Sequence, residues 1–261
     1  MAIDTFLSGG TGLVGSRILT TLANQSSLRH IYAFGRRDLK PDSSSPSTNG
    51  PKFTPLVDAD TSRWTNLLTP RLTSSNDASV VFFSALGTTR AKAGGLDKQR
   101  KIDHDLPLSL AESFASQRKP DSPRRVFVLI SSSGANPNSF MGYPKLKGET
   151  EEAVKALLRP DGGAQETGLD HVVILRPGLI VGTRRQEDSR PTEYVIRKIA
   201  EFAGMLGNGF KDFWAQDADV IAKAAVNAGI QCAEGRVKDR VWLLGQSDIV
   251  RLGRTEWGKD R

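Results

Sequence analysis

Residues 2–22 read AIDTFLSGGTGLVGSRILTTL, and the reading of this stretch decides the fold. Ile3 to Leu7 is a short apolar run suited to a buried strand, and Leu13, Val14, Ile18, Leu19 and Leu22 then recur at helical spacing. A glycine-dense turn lies between them. Gly10, Gly12 and Gly15 match G-x-G-x-x-G, whereas Gly9, Gly12 and Gly15 match G-x-x-G-x-x-G, and spacing alone leaves both registers open. In either register, residues without a Cβ let the chain turn sharply and let backbone N–H groups approach a pyrophosphate. The helix behind the turn points its positive end at the phosphates, with Gly9, Thr11, Gly12, Leu13, Val14 and Gly15 as the contacting positions.

Working outward, the rest of the chain alternates strand and helix signals. The expectation is a single α/β domain, Rossmann-like, with a doubly wound and mainly parallel sheet of about seven strands. A length of 261 residues, 38% of them hydrophobic, is enough to bury one full core. The domain is expected over residues 1–246, its carboxyl-terminal helices on the substrate side, with 247–261 as a weakly ordered tail. The one cysteine, Cys232, rules out a disulfide framework and reads as an inert buried thiol. No zinc-ligand spacing and no nucleic-acid recognition motif appears, so neither a metal nor a specific nucleic-acid partner is expected. The net charge of +7 suits phosphates or an anionic membrane surface. No apolar run is long enough to span a bilayer, and the early fingerprint is expected to leave no room for a cleavable leader.

Strand two, His30 to Phe34, runs into Gly35-Arg36-Arg37. This strand end faces the adenosine ribose, where an acidic side chain would bind the 2′-hydroxyl of NAD. Arginine instead suits the 2′-phosphate of NADP(H), and Arg36 is the better placed of the two. Asp38 to Lys52 reads as a surface loop. Strand three, Phe53 to Val57, ends at Asp58, a residue suited either to the adenine amino group or to capping the following short helix. Pro70 to Ala78 is expected to be loop. Strand four, Ser79 to Ala85, leads into Leu86-Gly87-Thr88-Thr89, a turn placed to line the cofactor, with Arg90 and Lys92 beyond it. A helix over 97–117 is expected to bury Ile102, Leu106, Leu110 and Phe114.

The chemistry-bearing residues follow strand five, Arg125 to Ile130. Ser131-Ser132-Ser133 closes that strand, and Tyr143 and Lys147 stand four apart on the next helix, on one face. A phenol is a poor acid–base group at neutral pH unless a neighbouring ammonium acts on it. A serine hydroxyl from the strand end then holds a carbonyl oxygen while the tyrosine gives up its proton. Strand six, His171 to Leu175, ends in Arg176-Pro177-Gly178, a rigid wall. Residues 183–190 read as a charged loop or lid, 193–205 and 218–228 as helices, 240–244 as a last strand, and Phe210, Phe213 and Trp214 as core or pocket.

Gly-x-x-Gly-x-x-Gly with Ser132, Tyr143 and Lys147 resembles the short-chain dehydrogenase/reductase superfamily. The segments LGTTRAKAG, SSSGANPNSFMGYPKLKGE, LRPG and RQEDSRP resemble, more narrowly, its atypical Tat-interacting-protein group and the fungal mitochondrial outer-membrane relatives of that group. The resemblance implies NADPH as cofactor and a small carbonyl or alcohol as substrate. It also implies Tyr143 and Lys147 as the catalytic pair, Ser132 ahead of Ser133 as the serine, and Pro177 and Leu179 beside the nicotinamide. It implies a cytoplasmic protein at most peripheral on the outer membrane, and it allows a protein partner controlled by cofactor occupancy in place of turnover. One departure is that the helix before strand five carries Ile102-Asp103-His104-Asp105, with no asparagine to relay protons.

Overall fold

The computed structural model describes residues 2–40, 50–75, 77–117, 123–160, 167–181 and 215–258. Seven strands, all parallel where they pair, form one sheet: β1 (Ile3–Ser8), β2 (His30–Gly35), β3 (Lys52–Val57), β4 (Ser79–Ser84), β5 (Arg125–Ile130), β6 (His171–Leu175) and, at the far edge, β9 (Val241–Leu244). Their order across the sheet is β3-β2-β1-β4-β5-β6-β9, so the direction of winding reverses between β1 and β4. Ligands bind in such folds at the carboxyl ends of the strands flanking that reversal. A two-stranded parallel pair, β7 (Leu179–Val181) with β8 (Ala215–Asp217), stands apart from the main sheet and was not foreseen in the sequence.

Apolar runs in the central strands exist because helices cover both faces. On one face Leu7, Phe83, Val128 and Val173 meet α1 (Leu13–Ala23) and α7 (Ala218–Ala233). Small residues let α7 lie close: a Cβ on Gly229 would stand 2.9 Å from the Val81 side chain and 3.0 Å from the Phe83 ring. On the other face Phe6, Phe82 and Phe127 form a ring ladder, with centroids 6.1 and 5.2 Å apart, under α2 (Trp64–Ser74) and α5 (Leu106–Ser116). Cys232 is fully buried in α7, and loss of hydration pushes its thiol up to about 12, which leaves it unreactive.

Three local expectations are corrected. Pro70 does not end a helix but sits inside α2, because Trp64, Leu68 and Leu72 bury one face on both sides of it. Leu39, in the expected surface loop, is core, packed at the glycine turn; residues 41–49 of that loop lie outside the described residues. The stretch after Gln246 is not a loose tail: α8 (Gln246–Val250) and a wide turn over Arg251–Thr255 bury Ile249 and Leu252, and the Leu252 carbonyl accepts from Asn227 at 3.1 Å. The readings for 183–190, 193–205, Phe210, Phe213 and Trp214 also fall outside the described residues.

Candidate active site

The glycine turn resolves the open register. Gly9 has φ +85°, and a Cβ there would lie 2.5 Å from the Ala85 carbonyl, where the ends of β1 and β4 meet. A Cβ on Gly15 would lie 2.0 Å from the Gly9 carbonyl oxygen. A Cβ on Gly10 meets only side chains at 3.5 Å or more, so Gly9, Gly12 and Gly15 are the required set. Gly12 is the N-cap of α1, no side chain caps its amides, and its first turn holds no acidic residue. Free N–H groups in a positive helix end without a competing carboxylate fit a pyrophosphate.

Around this end the other cofactor candidates fall into place unevenly. Arg36 and Arg37 are exposed just past β2, and Arg36 has no ion pair among the described residues. Asp58 does not cap the short helical turn of Thr61–Arg63; Asp60 does, accepting from the Ser62 N–H at 3.0 Å. Asp58 accepts instead from the Asp60 N–H at 2.8 Å, an Asx turn that fixes the end of β3. Gly87 borders open space, whereas the Thr88 and Thr89 positions are partly consumed by structure. The Thr88 N–H donates to Asp103 Oδ1 at 2.7 Å, and Thr89 Oγ1 caps α3 (Arg90–Ala93), accepting from the Lys92 N–H at 3.3 Å. Leu86 is half-buried, Pro177 is buried, and Leu179 is exposed.

Tyr143 and Lys147 lie on α6 (Gly142–Lys155). Pro144 fits its first turn, where no amide is needed, and the Pro144 carbonyl accepts from the Asn136 N–H at 3.0 Å. A Cβ on Gly148 would strike the backbone of Asn136 and Pro137 at 2.3 and 2.2 Å, so this glycine lets the loop from β5 rest against α6. Lys147 is 3% exposed, and its Nζ donates to the Ile130 carbonyl at 3.4 Å. Burial lowers the Lys147 ammonium, opposed by the negative charges of Asp103 and Glu151. Tyr143 exposes 41% of its surface, yet crowding of its phenol by the protein, with Asp103 second, pushes it up to about 12.

The three serines at the end of β5 divide their roles. Ser131 is buried and donates to Glu151, which Arg176 also holds through Nε at 3.0 Å. Ser132 is half-buried, and its hydroxyl has no hydrogen bond among the described residues; Ser133 is exposed and its N–H donates to the Pro177 carbonyl at 2.9 Å. Ser132 therefore stands at the strand end with a hydroxyl open to a ligand.

The helix before β5 departs most from expectation. It runs as α4 (Leu96–Arg100), a wide turn over Lys101–Asp105 in which the Leu106 N–H bonds the Lys101 carbonyl, and then α5. The extra residue rotates the register, so Asp103 and His104 are buried while Ile102 and Leu106 are only partly so. His104 is a packing residue: its Nδ1 is 2.9 Å from Thr150 Oγ1, and burial lowers its pKa, keeping it neutral. Asp103, Gly148 and the Ser131–Glu151–Arg176 set were not singled out in the sequence, because each depends on contacts between distant segments.

Solved structures share the architecture. The Thermoplasma acidophilum aldohexose dehydrogenase superposes with a TM-score of 0.63 at 11% identity, covering 95% of this chain and 94% of that one. The Brucella melitensis 3-oxoacyl-[acyl-carrier protein] reductase, in complex with NAD, gives 0.61 at 13%, covering 97% and 98%. The fold is that of the short-chain dehydrogenase/reductases. In sequence, the Aspergillus terreus protein named fmp52-1, mitochondrial, is 45% identical over 251 residues, 95% of this chain and 97% of that protein. The Aspergillus clavatus protein named fmp52, mitochondrial, is 44% identical over 250 residues, with the same coverage. The HIM1 family model matches residues 53–202, and with these relatives it places the chain in the HIM1/Fmp52 family.

Proposed function

We propose that this protein is an NADPH-dependent oxidoreductase that reduces a carbonyl of a small molecule. The observation that carries the reading is that Tyr143 and buried Lys147 stand one turn apart on α6, while Ser132, whose hydroxyl has no hydrogen bond among the described residues, follows β5 at the same sheet edge as the uncapped α1. When bound, the reduced nicotinamide supplies the hydride. Ser132 donates a hydrogen bond to the substrate oxygen, and Tyr143 delivers the proton to it as negative charge develops. Lys147 orients the ribose and offsets the charge left on the phenol. Burial raises the phenol to about 12, so Tyr143 carries the proton at neutral pH. Mixing the protein with NADPH and a panel of aldehydes, ketones and quinones tests this. NADPH oxidation with at least one carbonyl is expected, and NADPH binding without turnover overturns the reading in favour of a cofactor-sensing partner protein.

The arginine at the end of β2 supports NADPH over NADH. Arg36 is exposed and solvent screens it, so its charged hydrogen bond to the 2′-phosphate is worth about 1.5 kcal/mol, roughly tenfold in affinity. Calorimetry on Arg36→Ala is expected to show most of the NADPH preference lost; a preference left intact removes Arg36 from this role.

The same reading extends to location. The relatives' mitochondrial names, the net charge of +7 and the absence among the described residues of any helix long and apolar enough to cross a membrane support a peripheral position on the cytosolic face of the mitochondrial outer membrane. External protease should degrade the protein on intact mitochondria and high salt should release it; protection from protease contradicts the assignment.

A further inference from the structure

We propose that the turn entering α6, with the start of α4 beside it, is the surface by which this protein docks on an anionic lipid bilayer. The proposal rests on the reading of the protein as peripheral on a membrane, and it gives that position a face. Phe140 is 108% exposed, and Met141, Tyr143 and Leu96 are exposed as well. Two segments meet here: a Cβ on Gly142 would lie 3.5 Å from Leu96 Cδ2, so Leu96 borders the residue between Met141 and Tyr143. Hydrogen bonds fix the tip. The Ser139 N–H donates to the Asn136 carbonyl at 3.0 Å, the Asn138 N–H to Asn136 Oδ1 at 2.9 Å, the Met141 N–H to Ser139 Oγ at 3.1 Å, and the Lys145 N–H to the Met141 carbonyl at 3.0 Å. Asn136 is itself bonded to Pro144 and lies against Gly148, so the backbone holds Phe140 and Met141 out in solvent. Apolar side chains clustered clear of the core mark an interaction surface.

The charges around the tip select what covers it. Arg90 and Lys92 of α3, Lys98 and Arg100 of α4, Lys101 of the wide turn and Lys145 of α6 are all exposed. Lys98 Nζ lies 3.9 Å from where a Cβ on Gly94 would stand, which brings the end of α3 against α4. The acids among them are Asp97, Asp105 and Glu149; Arg100 pairs with Glu149 at 2.7 Å and Asp105 at 3.7 Å, and Lys145 lies 3.9 Å from Glu149. Arg90, Lys92, Lys98 and Lys101 have no ion pair among the described residues. A second copy of the chain would set these cations against themselves across a two-fold axis, and the cores of protein interfaces are poor in lysine. An anionic bilayer suits both parts of the surface. Phe140, Met141 and Leu96 enter the boundary between headgroups and acyl chains, while the long cationic side chains stay at the phosphates. Because α3 and α4 follow β4 and the tip follows β5, this face lies at the carboxyl edge of the sheet, the edge that carries Tyr143.

Flotation of the full-length protein with phosphatidylcholine vesicles, with and without phosphatidylinositol, tests this. Binding is expected only with phosphatidylinositol and should weaken as salt is raised. Phe140→Ser with Met141→Ser should weaken it by about 10–100-fold, the worth of two apolar side chains half immersed. Position 141 is the N-cap of α6, which serine suits, so the urea midpoint of this variant should match that of the parent. Lys92→Ala with Lys98→Ala should weaken binding by about 25-fold, roughly fivefold for each charge near the surface. Lys52→Ala with Lys238→Ala, which removes the same charge from the amino edge of the sheet, should change it less than about twofold, because that edge is a strand's length away. Phe140→Trp reads the tip directly, and its added emission should shift to shorter wavelength on phosphatidylinositol vesicles. A parent that binds no such vesicle, or a Phe140→Trp emission that stays in place, overturns the proposal. Equal weakening by the two lysine pairs also overturns it, since net charge alone would then explain the binding. A serine variant that binds as tightly as the parent shows this face to be wrong while leaving the peripheral position intact; that position fails only in the protease experiment.

Discussion

Replacing Tyr143 with phenylalanine should lower the rate of carbonyl reduction by about 10²–10⁴-fold, the usual worth of a positioned general acid, with NADPH affinity nearly unchanged. The substitution removes a hydroxyl and keeps the ring. That hydroxyl has no hydrogen bond among the described residues, so its loss orphans no protein donor or acceptor. Because the residue is 41% exposed, the change should cost stability no more than about 0.5 kcal/mol, as for other surface substitutions. The buried Lys147 and its bond to Ile130 at the end of β5 remain, so the ribose side of the site is preserved. Single-turnover measurements isolate the chemical step from product release. A variant as fast as the parent would strip Tyr143 of the acid role. A variant that loses NADPH affinity in parallel would instead show that the phenol binds cofactor.

What was legible in the sequence was whatever is written in local pattern. The buried strands announce themselves as apolar runs, and Arg125 to Ile130 and His171 to Leu175 fall where expected. Other features are properties of distant segments meeting. Two glycine registers fit the same spacing, and only the approach of β1 to Ala85 at the end of β4 selects Gly9 over Gly10. Four-residue periodicity predicted Ile102 and Leu106 as core, because it assumes a regular helix; the wide turn buries Asp103 and His104 instead. Asp58 and Asp60 are equally good caps by residue type, and it is Asp60 that accepts from the Ser62 N–H, while Asp58 accepts from the Asp60 N–H. At the active site, the Tyr143/Lys147 spacing was plain, yet what holds their helix in place was not. Ser131, Glu151 and Arg176 are distant or ordinary in sequence and meet only once β5, α6 and β6 are assembled.

That meeting point gives the largest expected effect on stability. Glu151 has no exposed surface and receives Arg176 from the end of β6, through Nε at 3.0 and 3.2 Å as well as Nη2, and Ser131 from the end of β5. Glu151→Ala leaves a guanidinium and a hydroxyl without their acceptor. Removing one partner of a buried pair costs about 3–5 kcal/mol, and the lower end, about 3, applies because the Arg176 side chain is 27% exposed and water compensates part of the loss. At roughly 2–4 °C per kcal/mol for a domain of this size, the melting temperature should fall by about 6–12 °C. Glu151→Gln keeps the shape and one acceptor, so its cost should be about half as large, the difference between charged and neutral hydrogen bonds. Urea unfolding should rank parent, Gln and Ala in that order, with the slope unchanged if the unfolded state is untouched. The double variant Glu151→Leu with Arg176→Met separates charge from packing: apolar side chains of similar volume recover much of the lost stability if the penalty is the unpaired charge. Equal urea midpoints for Glu151→Ala and the parent would show that α6, and with it Tyr143 and Lys147, is held by its apolar face alone.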